Sequence, residues 1–228
     1  MAASLTWLGH AAFRFDSEGG TRAYIDPYLQ NPKCPESERR PERVDLIALT
    51  HAHDDHVGET VELWQAFTCP VVAQVELAAW LSQNGVSQDS LTAFNKGGTV
   101  EQAGMRISMT DARHSSGAPD LAYAGEAAGL VFDVDGAKVY FSGDTSVFGD
   151  MQLIGRIYEP DLAVLPIGGH YTMDPREAAV ALELLGVKRC LPCHYGTFPV
   201  LTGTPDELRK LAPGVEVLSP EPGETVAL

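Results

Sequence analysis

The stretch Leu46-Ile47-Ala48-Leu49-Thr50-His51-Ala52-His53-Asp54-Asp55-His56 constrains this chain more than any other. Its apolar part reads as a buried strand, 45–50, which stops at three histidines and two aspartates within six residues. Imidazole is largely neutral near pH 7 and offers a nitrogen lone pair, which makes histidine the commonest metal ligand. His51 and His53 are two apart, so on an extended segment both side chains leave one face and can reach one ion. Asp55 and His56 follow where the chain should turn into a helix. They are aimed at a neighbouring point about 3.5–4 Å away, the usual two-metal spacing. The competing reading makes Asp54 or Asp55 a helix cap and the histidines incidental. Three histidines around a carboxylate disfavour it.

Composition bounds the rest. The 228 residues suit one domain, 1–228, and 44% hydrophobic with 21% charged residues is ordinary for a globular protein. No stretch approaches the ~20 apolar residues of a membrane span. The N-terminus enters Leu5-Thr6-Trp7-Leu8 with no basic region and no cleavage site, so a cytoplasmic protein is expected. A net charge of −15 opposes non-specific nucleic-acid binding, which needs clustered Lys and Arg. The expected partner is therefore a small-molecule substrate, with no nucleic acid; a homo-oligomer stays open. The four cysteines, at 34, 69, 190 and 193, read as free thiols. Cys190-Leu191-Pro192-Cys193-His194 matches the haem-attachment spacing formally and a redox pair loosely. Coincidence beside a metal-binding histidine is the better account.

In chain order, Leu5–Leu8, Ala12–Phe15 and Arg22–Ile25 read as three strands, the last stopped by Asp26-Pro27. Residues 27–43 hold four prolines without periodicity and read as a rim loop. Strand 45–50, a helix near 57–67, strand Val71–Ala73 and a helix at 74–83 follow. Asn95-Lys96-Gly97-Gly98 is a turn before strand Met105–Thr110, and Asp135-Gly136 joins a hairpin of Gly129–Val134 and Lys138–Ser142. A helix at 147–158, strand Leu162–Leu165, helix Pro175–Leu185 capped by Asp174, strand Arg189–Cys193, a short helix at 205–211 and strand Val215–Leu218 complete the expectation. Two similar halves imply an α/β fold: an αββα four-layer sandwich, with two mixed sheets face to face and helices outside.

His51-Ala52-His53-Asp54-Asp55-His56 resembles the His-x-His-x-Asp-His signature of the metallo-β-lactamase superfamily. That pattern asks next for a histidine, an aspartate and a histidine. Arg113-His114-Ser115, Gly143-Asp144-Thr145 and Cys193-His194-Tyr195 supply them in order, each after a predicted strand. The resemblance implies that His51, His53 and His114 hold one metal ion, Asp55, His56 and His194 another, and that Asp144 bridges them. The donor set suits Zn first, with Mn or Fe as alternatives. Superfamily members that reduce oxygen with two irons carry glutamate where this chain has His53, so hydrolysis is implied. Two ions would generate a bridging hydroxide at neutral pH and clamp the developing oxyanion. Asp55, itself a ligand, would take up its proton.

Trp7-Leu8-Gly9-His10-Ala11, Ile25-Asp26-Pro27-Tyr28, Phe148-Gly149-Asp150-Met151, Pro166-Ile167-Gly168-Gly169-His170-Tyr171 and His194-Tyr195-Gly196-Thr197-Phe198-Pro199 narrow the likeness. They are similar to small stand-alone metal-dependent hydrolases related to ascorbate-phosphate lactonase and to the phospholipase D acting on N-acyl phosphatidylethanolamines. The similarity runs from about residue 4 to 212. It implies hydrolysis of an ester, lactone or phosphodiester, with a phosphorylated substrate favoured by kinship. A nuclease of the same superfamily and a non-catalytic metal-binding protein are the alternatives. His10 and His170 each read either as a ligand's hydrogen-bond partner or general acid, or as an ordinary backbone-satisfied histidine. Asp26 either orients a ligand histidine or ends its strand in an Asp-Pro turn. Arg113, Lys96 and Arg176 are anion anchors or solvated surface, and Tyr171 and Tyr195 oxyanion donors or rim filler.

Overall fold

The computed structural model describes residues 3–228. The first half contributes β1 (Ser4–Trp7), β2 (Phe13–Asp16), β3 (Arg22–Ile25), β4 (Leu46–Ala48), β5 (Val71–Gln74) and β6 (Leu91–Phe94). Its helices are α1 (Asp54–Val57), α2 (Thr60–Phe67) and α3 (Val75–Gln83). The second half contributes β7 (Thr99–Gln102), β8 (Met105–Asp111), β9 (Ala128–Val134), β10 (Ala137–Phe141), β11 (Leu162–Pro166), β12 (Arg189–Cys193) and β13 (Glu216–Val217). With it go α4 (Met151–Tyr158), α5 (Pro175–Leu185) and α6 (Pro205–Leu211). A last strand, β14 (Thr225–Ala227), returns to the first sheet.

The first sheet runs β14-β1-β2-β3-β4-β5-β6 and the second β13-β12-β11-β10-β9-β8-β7, both mixed. Strand periodicity explains the layering. Leu46 and Ala48 of β4 point into the gap between the sheets, whereas Ile47 and the following Leu49 face the helices. A strand buried on both faces must be apolar throughout, and β4 is. Between the sheets, Phe13 meets Phe141 at 5.6 Å and Phe15 meets Phe132 at 5.8 Å between ring centroids. Each such fully buried ring contributes about 1.5–3 kcal/mol. Outside, Leu63, Leu77 and Leu81 cover the first sheet, and Ala178, Leu182 and Leu208 the second. The expected αββα sandwich is the observed one.

Boundaries differ where local chemistry is subtle. The helix expected at 57–67 starts at Asp54 and breaks at Gly58, whose φ of 44° and contact with Pro27 and Tyr28 leave no room for a Cβ. The helix expected from 147 begins at Met151. Three strands gave no clear signal: β6, β7 and β14 are short, include half-exposed or exposed positions, and lie at sheet edges. Gly155 lets α4 cross α5 closely, because a Cβ there would overlap the Leu185 carbonyl. Asp174 caps α5 by accepting from the backbone of Arg176 and Glu177, as expected.

Candidate functional site

Four of the seven candidate ligands sit just past the C-terminal end of a strand: His51 after β4, His114 after β8, Asp144 after β10 and His194 after β12. Asp55 and His56 lie on α1, and His53 immediately precedes it. Three residues of the same rim, His10, Asp26 and His194, hold φ of 50°, 47° and 52°. A left-handed φ at a strand's last step costs a non-glycine residue energy, and such outliers cluster where surrounding structure fixes a side chain's direction.

Six of the seven histidines converge. Ligand-type atoms of His51, His53 and His114 form one group within 4.8 Å, His10, Asp55, His56 and His194 a second, and His51, His56 and Asp144 a third. Asp144 stands centrally: His194 Nε2 is 3.2 Å and His114 Nε2 3.6 Å from Oδ2, and His56 Nε2 is 3.4 Å from Oδ1. His194 Nε2 also lies 3.6 Å from Asp55 Oδ2.

The outer contacts fix ring orientation. His56 donates from Nδ1 to Asp26 Oδ2 at 2.8 Å, so Asp26 is the orienting carboxylate. Asp26 also accepts from the Thr50 backbone N–H at 2.8 Å and from its hydroxyl at 2.6 Å. With its proton so engaged, the Thr50 oxygen accepts from His51 Nδ1 at 3.1 Å. That leaves the lone pair of His51 on Nε2. Ser115 Oγ lies 3.2 Å from His53 Nε2, and the His53 tautomer that donates there carries its lone pair on Nδ1. In that tautomer the two lone-pair nitrogens face each other at 3.0 Å, an arrangement that suits a shared cation. His56 Nε2, Asp144 Oδ1 and both ring nitrogens of His194 are buried without a hydrogen-bond partner. Buried polar atoms rarely remain so, and each costs about 1–3 kcal/mol unless something binds it. The cluster therefore fits metal ions.

Electrostatics agree. Burial holds His51 well below its ordinary pKa, and also lowers His53 and His114, so these rings are neutral donors. Burial also opposes charge on His56, but Asp144 and Asp26 outweigh it and raise the ring well above 6.5. His194 is likewise raised to about 9: burial opposes the charge, and Asp144 and Asp55 overcome it. Burial would raise the Asp55 carboxyl, yet the hydrogen bond from His10 and the nearby His194 ring hold it well below the usual range. A pocket that keeps protons on buried imidazoles favours cations in their place.

His10 is fully buried and donates from Nε2 to Asp55 Oδ2 at 2.9 Å, while Thr197 Oγ lies 3.0 Å from its Nδ1. Burial lowers its pKa to about 4 despite Asp55, so the ring is neutral near pH 7. His170 lies elsewhere: it is exposed, with its ring edge-on to Tyr171 at 4.5 Å, and joins none of the three groups. Arg113 pairs with Asp111 and lies over the Phe148 ring, Lys96 pairs with Asp111 and Glu126, and the exposed Arg176 pairs with Asp174. Tyr195 stacks on Trp7, and Tyr171 is exposed. Cys190 packs on the helix side of β12 and Cys193 between the sheets. Opposite faces and a separation of about 10 Å along the strand rule out both a disulfide and twin haem attachment. Thr50, Ser115 and Thr197 were not anticipated. Their only sequence signal is adjacency to a candidate ligand or to the His194 loop.

A family profile described as a beta-lactamase superfamily domain matches residues 21–195, and the chain belongs to that superfamily. More narrowly, it is 45% identical over 226 residues to a UPF0173 metal-dependent hydrolase of Koribacter versatilis, covering 97% of this chain and 96% of that one. A UPF0173 metal-dependent hydrolase of Roseiflexus castenholzii is 44% identical over 236 residues, with 98% and 97% covered. Among solved structures, Igni18, a metallo hydrolase of the archaeon Ignicoccus hospitalis, is 34% identical with a TM-score of 0.89, covering 100% of this chain and 99% of that one. The protein is thus a metal-dependent hydrolase. Among the described residues no helix is long and apolar enough to cross a membrane.

Proposed function

We propose that the chain hydrolyses an ester, lactone or phosphodiester bond of a small molecule with two divalent ions, zinc by preference. His51, His53 and His114 would hold one ion, Asp55, His56 and His194 the other, and Asp144 would serve both. The carrying observation is the set of buried, unpartnered ligand atoms on His56, Asp144 and His194. Nitrogen-rich donors with carboxylate oxygen suit zinc. When bound, such a pair supplies a water acidified to near-neutral pKa and a Lewis acid for the oxygen of the scissile bond.

The chain's own residues do the rest. Asp26 keeps the His56 proton on Nδ1 and, through Thr50, the His51 proton on its Nδ1, leaving both Nε2 atoms free to ligate. Thr197 and Asp55 fix the His10 ring between them, and His10 in turn holds Asp55 in one orientation. Asp55 is a third exposed, so its carboxylate reaches the cleft and would take up a proton there, while neutral His10 steadies it by donating from Nε2. His53→Ala and Asp144→Ala are expected to lose metal and hydrolytic activity together, measured by metal analysis and turnover of ester, lactone and phosphodiester panels. Full turnover in either variant sinks the proposal.

A further inference from the structure

The loops around the cluster show a consistent imbalance between apolar and cationic side chains. Phe198 and Tyr28 both stand edge-on to the His10 ring, at 5.6 and 5.9 Å between centroids. His10 in turn touches Asp55, the partly exposed carboxylate of the cluster. Phe198 is 37% exposed and its neighbour Val200 44% exposed. A bridge between Gly169 and Leu201 sets the Tyr171 loop, itself exposed, beside them. Apolar surface therefore borders the Asp55–His10 side of the cluster.

The cations on neighbouring loops are already engaged. Arg113 and Lys96 share Asp111, Lys96 adds Glu126, and Arg176 is held by Asp174. Lys33 donates to the Tyr195 carbonyl at 3.1 Å and lies over the Trp7 and Tyr195 rings. An anionic substituent arriving at the rim would find Arg113, Lys96 and Arg176 each paired with a carboxylate, and Lys33, the one without a carboxylate partner, turned onto Trp7 and Tyr195. It would instead approach the exposed Asp54 and a chain of net charge −15. Recognition of phosphate ordinarily uses Arg or Lys. Inside, Asp26, Asp55 and Asp144 already offset most of the charge two divalent ions would bring.

We propose that the substrate is a neutral carboxylic ester or lactone whose apolar or aromatic group packs on Phe198 and Tyr28, rather than a phosphorylated compound. This rests on the binuclear reading above and narrows it. The test uses zinc-reconstituted full-length protein whose metal content is measured first, then calorimetric titration with three metal-chelating probes. Benzohydroxamate should bind about tenfold more tightly than acetohydroxamate, the gain expected from partly burying one phenyl ring. 4-Carboxybenzohydroxamate should bind at least about threefold more weakly than benzohydroxamate. Phe198→Ala should bring benzohydroxamate to within about threefold of acetohydroxamate with metal content unchanged, and Phe198→Leu should keep most of the preference. Equal wild-type affinities for the two uncharged probes, or tighter binding of the carboxylated one, overturns the proposal while leaving the metal site standing. Failure to bind zinc overturns both, and the metal analysis reads that separately.

Discussion

Asp26 is the residue whose replacement tests the site most sharply, because it touches no substrate and yet controls two candidate ligands. It is 2% exposed and accepts three hydrogen bonds, from His56 Nδ1, the Thr50 hydroxyl and the Thr50 backbone. Asp26→Asn preserves the shape. If the amide oxygen keeps the Thr50 N–H, the amide nitrogen replaces the oxygen that served the other two donors, and it can only donate. The His56 proton is then driven from Nδ1 to Nε2, where it blocks ligation, and the reversed Thr50 hydroxyl presses His51 toward the same change. Loss of such an outer partner typically costs 10–100-fold in metal affinity, about 1.4–2.7 kcal/mol. Two affected histidines put the expected loss at the upper end. The assay is competition against a zinc-binding dye, with Thr50→Val as the comparison. That variant cuts the His51 link but leaves His56 on Asp26, so it should weaken one zinc equivalent by about tenfold and spare the other. Asp26→Asn protein that binds two zinc ions with wild-type affinity would refute the tautomer reasoning outright.

Two further predictions concern the scaffold. Asp174→Ala should lower stability by about 1 kcal/mol, or about 2–4 °C in melting temperature, through loss of the α5 cap. Slight burial pushes the Asp174 carboxyl up, but the Glu177 N–H and the Arg176 side chain hold it below its ordinary value. A depressed carboxyl stabilises above its unfolded pKa and loses that contribution as pH falls through the folded one. The gap between wild type and Asp174→Ala should therefore be full at pH 6–7 and shrink below about pH 4 in parallel urea titrations. Gly155→Ala should cost about 3 kcal/mol, because the obstructing atom is the Leu185 backbone carbonyl and cannot rotate aside. An unchanged urea midpoint would show that α4 and α5 can separate freely.

The layers and the candidate cluster were legible for one shared reason: both rest on strong, local patterns. Continuous apolar runs such as Leu46–Leu49, too short for a helix, fit strands covered on both faces, and the candidate ligands follow at their ends. Asp135-Gly136 announced its hairpin because both residues take positive φ, 54° and 81°. What escaped was set by distant contacts. β14 reads as an unremarkable Thr-Val-Ala, and only pairing with β1 makes it a strand. The break at Gly58 comes from Pro27 and Tyr28, thirty residues earlier in the chain. His10 and His170 looked alike, each ending a strand beside a glycine. Three-dimensional placement separates them: one is fully buried against Asp55, and the other is exposed against Tyr171. Thr50 could not be singled out, because a hydroxyl's role depends on which partner takes its proton.

His10 also shows why candidate ligands from two sheets can meet in one cluster. Its carbonyl accepts from the His194 backbone N–H at 2.9 Å and from Trp7 Nε1 at 3.0 Å, while its ring holds Asp55. One residue just past β1 is therefore bonded to a candidate ligand carried by α1 in the first half and to the backbone of a candidate ligand at the end of β12 in the second. The left-handed φ at both His10 and His194 is what turns these two strand ends toward each other. Such strain persists only where the surroundings over-determine it. Here the Trp7 indole, the Asp55 carboxylate, the Thr197 hydroxyl and the His194 amide all fix the same residue. Rigidity of this kind spares the centre most of the ordering cost of gathering ligands from separate loops, so binding free energy can go into holding metal and substrate rather than into assembling the site.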